Sequence, residues 1–364
     1  MLNLRKLFVD VFDPQAGETA VVVVDLPHGE LADDEEWERR RAMAERWHGA
    51  LSELGGERGF TVEPLIQFAA TGMNNGTLPA EGEQDGKPAA LEGVAARITL
   101  LLALTEFSAS APLIAWTKKF PRLRAASMPR IAPEMEATAL AADYKQVARS
   151  CQRLRERLAE TSCAEIEFST GDQFTLDFRF RKPEMDDGRL PFDLPPPRLI
   201  NLPSGEAYTA AYEGEREDPS RTQGVLPLPY ENEIVCVRVE ENRVAEVMGN
   251  TAASRRLRDF LFLDRARGNV AELGLGCNPM ARVWGNVLED EKAGPHIALG
   301  RSEHLGGVTG PDAFQDPRNV WHEDFVFARG GPVTITRMTL IKEAGEGRLL
   351  FADGSYVAEL EIGI

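Results

Sequence analysis

"TAVVVVDLPHGELADDEEWERRRAMAERWHGALSEL", residues 19–54, decides the fold class. Its β-branched run Thr19–Leu26 is short and almost wholly apolar, which is the signature of a buried strand. The segment after it carries acids at Asp33, Asp34, Glu35 and Glu36, where they suit the positive end of a helix. Glu35–Arg39 and Glu36–Arg40 stand four apart, as ion pairs on a charged outer helix face would. A strand followed by a helix is half of a βαβ unit. "FTVEPLIQFA" (60–69) and "RITLLLALTEF" (97–107) supply further strands with a helix-length segment between them, and residues 139–160 form a long amphipathic helix. This rhythm predicts a mainly parallel sheet flanked by helices. "PAEGEQDGKP" (79–88) reads as a polar, mobile loop within it.

The pattern changes near residue 160. "CAEIEFSTGDQFTLDFRFR" (163–181) alternates apolar and polar on both sides of Thr-Gly-Asp, as a hairpin should. "KPEMDDGRLPFDLPPPRL" (182–199) reads as a proline-rich connector without helix or ladder. "NEIVCVRVEENRVAEVMG" (232–249) is a second hairpin, around Glu241-Asn242, followed by a helix over about 251–268. Three more strand segments fill the tail. A chain of 364 residues favours two domains over one core. We therefore expect an α/β domain over residues 1–160 and a β-rich α+β domain over 161–364.

The formal net charge of −17 argues against nucleic acid or an anionic membrane as partner. The longest apolar runs, 20–26 and 98–104, fall short of the roughly 20 residues a membrane span needs. Asp10 and Asp13 interrupt the N-terminal segment, which makes it a poor signal peptide. Cys151, Cys163, Cys236 and Cys277 lie far apart without a C-x-x-C spacing, which fits a reducing cytoplasm.

Three of the five histidines, His296, His304 and His322, fall in one short stretch, whereas His28 and His48 read as structural or solvated. His322 and Asp324 are two apart on an apparent strand, so both side chains point to one face. They suit either a pair of metal ligands or a simple His–Asp hydrogen bond. Glu272 sits among small and apolar residues in "NVAELGLGCNP" (269–279), and a buried carboxylate needs a partner. Glu206 enters a strand after a Pro-Ser-Gly turn. His296 lies between the acidic turn "EDEK" and the apolar run "IALG". Any one of these acids can be an ordinary surface residue. Together, two histidines and three carboxylates are a ligand mix for a pair of divalent cations. There is no Walker loop, no H-E-x-x-H and no G-x-S-x-G.

"NLPSGEAYTA" (201–210), "ELGLGCNPMAR" (272–282), "GNVLEDEKAGPHIALG" (285–300) and "HEDFVFARG" (322–330) occur in one order. In this order they resemble the thermophilic aminopeptidase (aminopeptidase T/S) family of dinuclear metallopeptidases. The resemblance covers most of residues 160–330 and is looser before that, at "LTEFSASAP" and "RAASMPRIAPEM". It implies that Glu206, Glu272, His296, His322 and Asp324 hold two divalent ions, zinc or cobalt being usual and manganese an alternative. It further implies removal of an N-terminal residue from a small peptide or amide, and a homodimer.

The family's tyrosine seven residues after the His296 position is replaced here by Glu303, followed by His304. An ionised carboxylate cannot donate a hydrogen bond, so that tyrosine's role in stabilising the tetrahedral intermediate is either lost or taken by His304. A related branch, the dihydroxypyridine ring-opening dioxygenases, holds one iron on two histidines and one carboxylate. There a histidine stands at the Glu272 position and no acid at the Glu206 position, so keeping both glutamates favours the hydrolase. A binding protein with a remnant site is the third reading.

Overall fold

A computed structural model describes residues 2–195, 198–360 and 362. The chain forms two compact units, one from residues 1–148 and 188–204, the other from 149–187 and 205–364.

In the first unit, Thr19–Leu26 runs parallel to Ile66–Ala69 on one side and to Leu100–Thr105 on the other. Arg124–Pro129 and Leu199–Asn201 extend the sheet in the same sense. Ala20–Asp25 and all of Leu100–Thr105 are buried, as strands covered on both faces must be. The helix Glu35–Arg58 is capped by Asp34, which accepts from the Trp37 amide, and ends on Gly59 in the left-handed region at φ 79°. It buries Trp37, Met43, Trp47 and Leu51.

The structure changes three expectations here. Arg39 and Arg40 do not pair along their own helix: Arg39 meets Glu134, and Arg40 reaches Glu106 Oε2 at 2.8 Å. Arg40 lies on the buried face, where only a partner from a packed neighbour can reach it. Residues 79–88 contribute to a hairpin instead of a loop, with Glu81–Gln84 antiparallel to Lys87–Ala90. Asp85 and Gly86 both take positive φ, 50° and 71°, the conformation a two-residue hairpin turn requires. The connector 182–199 holds Glu184–Asp186 and the first residue of Leu199–Asn201, both laddered; its Pro196 and Pro197 lie outside the described residues. A single cut near residue 160 omits this return of the chain to the first unit, which Leu199–Asn201 makes by pairing with Arg124–Pro129.

The second unit contains an eight-stranded antiparallel sheet. It includes the hairpins Cys163–Phe168/Gln173–Asp177 and Glu233–Glu240/Arg243–Val247. The helix expected over 251–268 is an α-helix at Ala252–Leu263 followed by a 3-10 turn at Arg265–Gly268. The unit's other sheet has five strands: β1 (Glu184–Asp186), β2 (Glu206–Ala210), β3 (Val270–Gly276), β4 (Pro295–Gly300) and β5 (His322–Val326). They lie in the order β1-β2-β3-β4-β5, each antiparallel to the next. Among the described residues no helix is long and apolar enough to cross a membrane.

Candidate metal centre

Directly paired residues of an antiparallel ladder share a face, so the register of this meander fixes the site. Glu206 pairs with Gly276, Tyr208 with Gly274 and Ala210 with Glu272 across β2 and β3. Gly274 pairs with His296 and Glu272 with Ala298 across β3 and β4. Ala298 pairs with Asp324 and Gly300 with His322 across β4 and β5. Glu206, Glu272, His296, His322 and Asp324 therefore share one face, spaced by glycine and alanine. Leu273, Leu275, Ile297, Leu299 and Phe325 alternate onto the opposite face and are buried.

The small residues make the functional side chains fit. A Cβ on Gly274 would stand 1.8 Å from His296 Nε2, so the imidazole lies flat over a bare strand. A Cβ on Gly276 would meet the Glu291 carbonyl oxygen at 2.2 Å, so the 291–294 turn presses on the end of β3.

His296 Nε2 lies 3.4 Å from Glu206 Oε2, 3.9 Å from Glu272 Oε1 and 4.0 Å from Asp324 Oδ1. His322 Nε2 lies 3.5 Å from Glu272 Oε2 and 3.6 Å from Asp324 Oδ1. Ligands bonded at about 2.1 Å to one tetrahedral ion stand roughly 3.4 Å apart, so these gaps are the right size for a cation between them. Two groups have ligand atoms within 4.8 Å of one another: Glu206, Glu272 and His296, and Glu272, His322 and Asp324. Glu272 belongs to both, turning one oxygen toward each histidine. His322 Nδ1 donates to the Arg301 carbonyl at 2.7 Å, since a carbonyl only accepts, so Nε2 is the nitrogen that faces the centre. His296 Nδ1 makes a longer contact of the same kind with Gly294, at 3.4 Å.

The electrostatics suit a bound cation. Burial opposes a charge on His322, yet Asp324 and Glu272 outweigh it and lift the imidazole well above its ordinary 6.5. Burial also opposes ionisation of Asp324, but His322, His296 and Lys292 hold its carboxyl below the usual carboxylate range. A proton on His322 thus stands in for positive charge that a divalent ion would bring.

Glu303 and His304 belong to neither ligand group among the described residues. Arg301 Nε donates to Glu303 Oε2 at 2.6 Å. Although burial pushes the other way, Arg301 and His304 draw the Glu303 carboxyl down to about 2. Glu303 is thus a fixed carboxylate and donates nothing. His304 sets its ring edge-on against His322, with centroids 5.0 Å apart, and so reaches the rim of the site. His28 and His48 each contact a backbone carbonyl, of Ala70 and Glu63, far from this chemistry in sequence.

Two residues were missed from the sequence. Tyr208 shares the Glu206 face of β2, and burial, with Asp186, Glu272 and Glu206 nearby, raises its phenol above the ordinary value so that it keeps its proton. The alternation of "EAY" signalled that position. Lys292 is wholly buried, and its Nζ donates to Glu206 Oε1 and to Glu291 Oε1, each at 2.6 Å. Burial disfavours its ammonium, but Glu206 and Glu291 overcome that and hold its pKa well above the ordinary lysine value. Its place in the acidic run "EDEK" does not by itself distinguish it from a solvated lysine.

The class defined by this fold is a parallel α/β unit joined to a β-rich unit bearing a His/carboxylate centre. No family model matches the chain, and no curated protein matches it by sequence. Among the solved structures similar to it, two match over nearly its full length. One is 2,5-dihydroxypyridine dioxygenase from Pseudomonas putida KT2440, at 14% identity and a TM-score of 0.64, covering 98% of this chain and 97% of that one. The other is wild-type AmpT from Thermus thermophilus, at 16% identity and a TM-score of 0.59, covering 98% of this chain and 99% of that one. At such identities the likeness is one of fold.

Proposed function

We propose that the protein is a metal-dependent hydrolase that cleaves an N-terminal residue or a small amide at Glu206, Glu272, His296, His322 and Asp324. The observation that carries this reading is the shared carboxylate: Glu272 offers Oε1 to His296 and Oε2 to His322 at spacings suited to bound cations. A divalent ion held there, zinc or else cobalt or manganese, would polarise a carbonyl and lower the pKa of a water. Around it the chain supplies the proton inventory. Tyr208 keeps its phenolic proton for a developing oxyanion, the role for which Glu303 is unsuited. His304, half exposed beside His322, is placed to pass a proton to a leaving amine.

Protein purified without chelator, then replenished with zinc, cobalt or manganese, should retain metal and hydrolyse members of an aminoacyl-amide and dipeptide panel. Glu272→Ala should lose metal and activity together. Only trace metal in the replenished wild type would sink the reading. A second reading, a ring-opening oxygenase, draws on His296 and His322 flanking Asp324 at 4.0 and 3.6 Å, a two-histidine, one-carboxylate set for ferrous iron. Oxygen uptake with a dihydroxypyridine under ferrous loading, without amide hydrolysis, would select it.

A further inference from the structure

We infer that Lys292 is a resident cation of the centre, occupying the Glu206 pole, so that the protein holds one divalent ion, on Glu272, His322 and Asp324. This deepens the metal-centre reading and rests on it. Glu206 is the only acid of the Glu206–Glu272–His296 group outside the other group, and its Oε1 is already taken by Nζ at 2.6 Å. The same nitrogen is tied to Glu291 at 2.6 Å, so two carboxylates enclose the ammonium. Its neutralising work at Glu206 is the work a second ion would do.

The lysine is also held in place through its backbone. The Lys292 carbonyl accepts from the Asn278 amide at 3.0 Å, and the Gly294 carbonyl accepts from the Gly276 amide at 3.0 Å. A Cβ on Gly276 would meet Lys292 C at 2.7 Å, so the bare strand end lets the turn that carries the lysine seat there. A divalent ion at the same pole would have to bind Glu206 Oε2 with a buried ammonium on that carboxylate's other oxygen. Like charges on one desolvated carboxylate oppose each other strongly. Among the described residues no ammonium is bonded to the Glu272–His322–Asp324 group, and His322 is its most exposed member, at 21% of the side chain.

The test is metal stoichiometry on the full chain, by mass spectrometry of the washed protein and by zinc titration. Wild type should bind one equivalent per chain, and Lys292→Met, which frees Glu206 and Glu291, should bind two. In the wild-type background Glu206→Gln should keep the one equivalent and weaken it by roughly 10–100-fold, as loss of an outer partner does. That variant also serves if Lys292→Met does not fold. Two equivalents in wild type, one in folded Lys292→Met, or loss of the ion in Glu206→Gln would each overturn the inference while leaving the metal-centre reading intact. No bound metal in wild type would overturn that reading, and the inference with it.

Discussion

Gly274→Ala adds one methyl group and should disable His296. The added Cβ would lie 1.8 Å from Nε2, 2.2 Å from Cε1 and 2.5 Å from Cδ2 of that ring. Side-chain atoms do not approach a Cβ closer than about 3.0 Å, so the ring must retreat by more than about 1 Å. A ring displaced that far no longer faces Glu206 and Glu272, so an ion on Glu272, His322 and Asp324 loses an outer partner. Overpacking of this kind costs about 1–3 kcal/mol. Gly274 is an extended strand residue without positive φ, so the alanine backbone itself gains roughly 0.5–1 kcal/mol. Urea unfolding of the metal-free protein should therefore show a net loss, and zinc competition against a chromophoric chelator should show binding roughly 10–100-fold weaker. The decisive measurement is the cycle with His296→Ala. Without the ring there is nothing to strike, and Gly274→Ala should turn neutral or slightly stabilising, a coupling of about 1–3 kcal/mol. Equal cost in both backgrounds would refute the claim that the glycine exists to seat the imidazole.

The raised pKa of His322 sets a pH dependence. In the metal-free protein its imidazolium, paired with Asp324 and Glu272, contributes stability that is fully present below about 6.5, the unfolded value, and is lost as pH rises through the folded value. Metal must displace that proton, so zinc affinity should climb by about tenfold per pH unit across the same window, with one proton released per ion. Calorimetry in buffers of differing ionisation enthalpy reads the proton count, and a zero count would contradict the assignment. Tyr208→Phe should leave metal content and melting unchanged and lower kcat on the best amide substrate by roughly 10²–10³-fold, the usual cost of one oxyanion donor. An unaltered kcat would remove the phenol from the chemistry.

That the candidate residues share a face was legible because β-strand alternation writes a face into the sequence. "ELGLG" places Glu272, Gly274 and Gly276 on one side and two leucines on the other, and "HIALG" does the same for His296, Ala298 and Gly300. With His322 and Asp324 two apart, antiparallel pairing of these three strands gathers the group except Glu206, which the neighbouring β2 adds. The turn signals of the two expected hairpins worked for a similar local reason, and the missed hairpin at 81–90 carried an Asp85-Gly86 turn that composition had disguised as loop. What could not be read was set by contacts remote in sequence. Arg40 resembles its helix's outer arginines until Glu106 and burial claim it. Lys292 stands 86 residues from the carboxylate it holds, and nothing in "EDEKAG" marks a buried ammonium apart from a solvated one. The difference lies in Gly276, whose missing side chain lets the turn sink onto β3. A lysine brought inside by a glycine on another strand is a pairwise property, and one chain read in order does not display it. That the two positions of greatest consequence, Gly274 and Lys292, are a residue with no side chain and one in a surface-like run follows from the same logic. Candidate ligands are recognised by type, but the space and charge that would decide how many ions they hold are set by their neighbours in the fold.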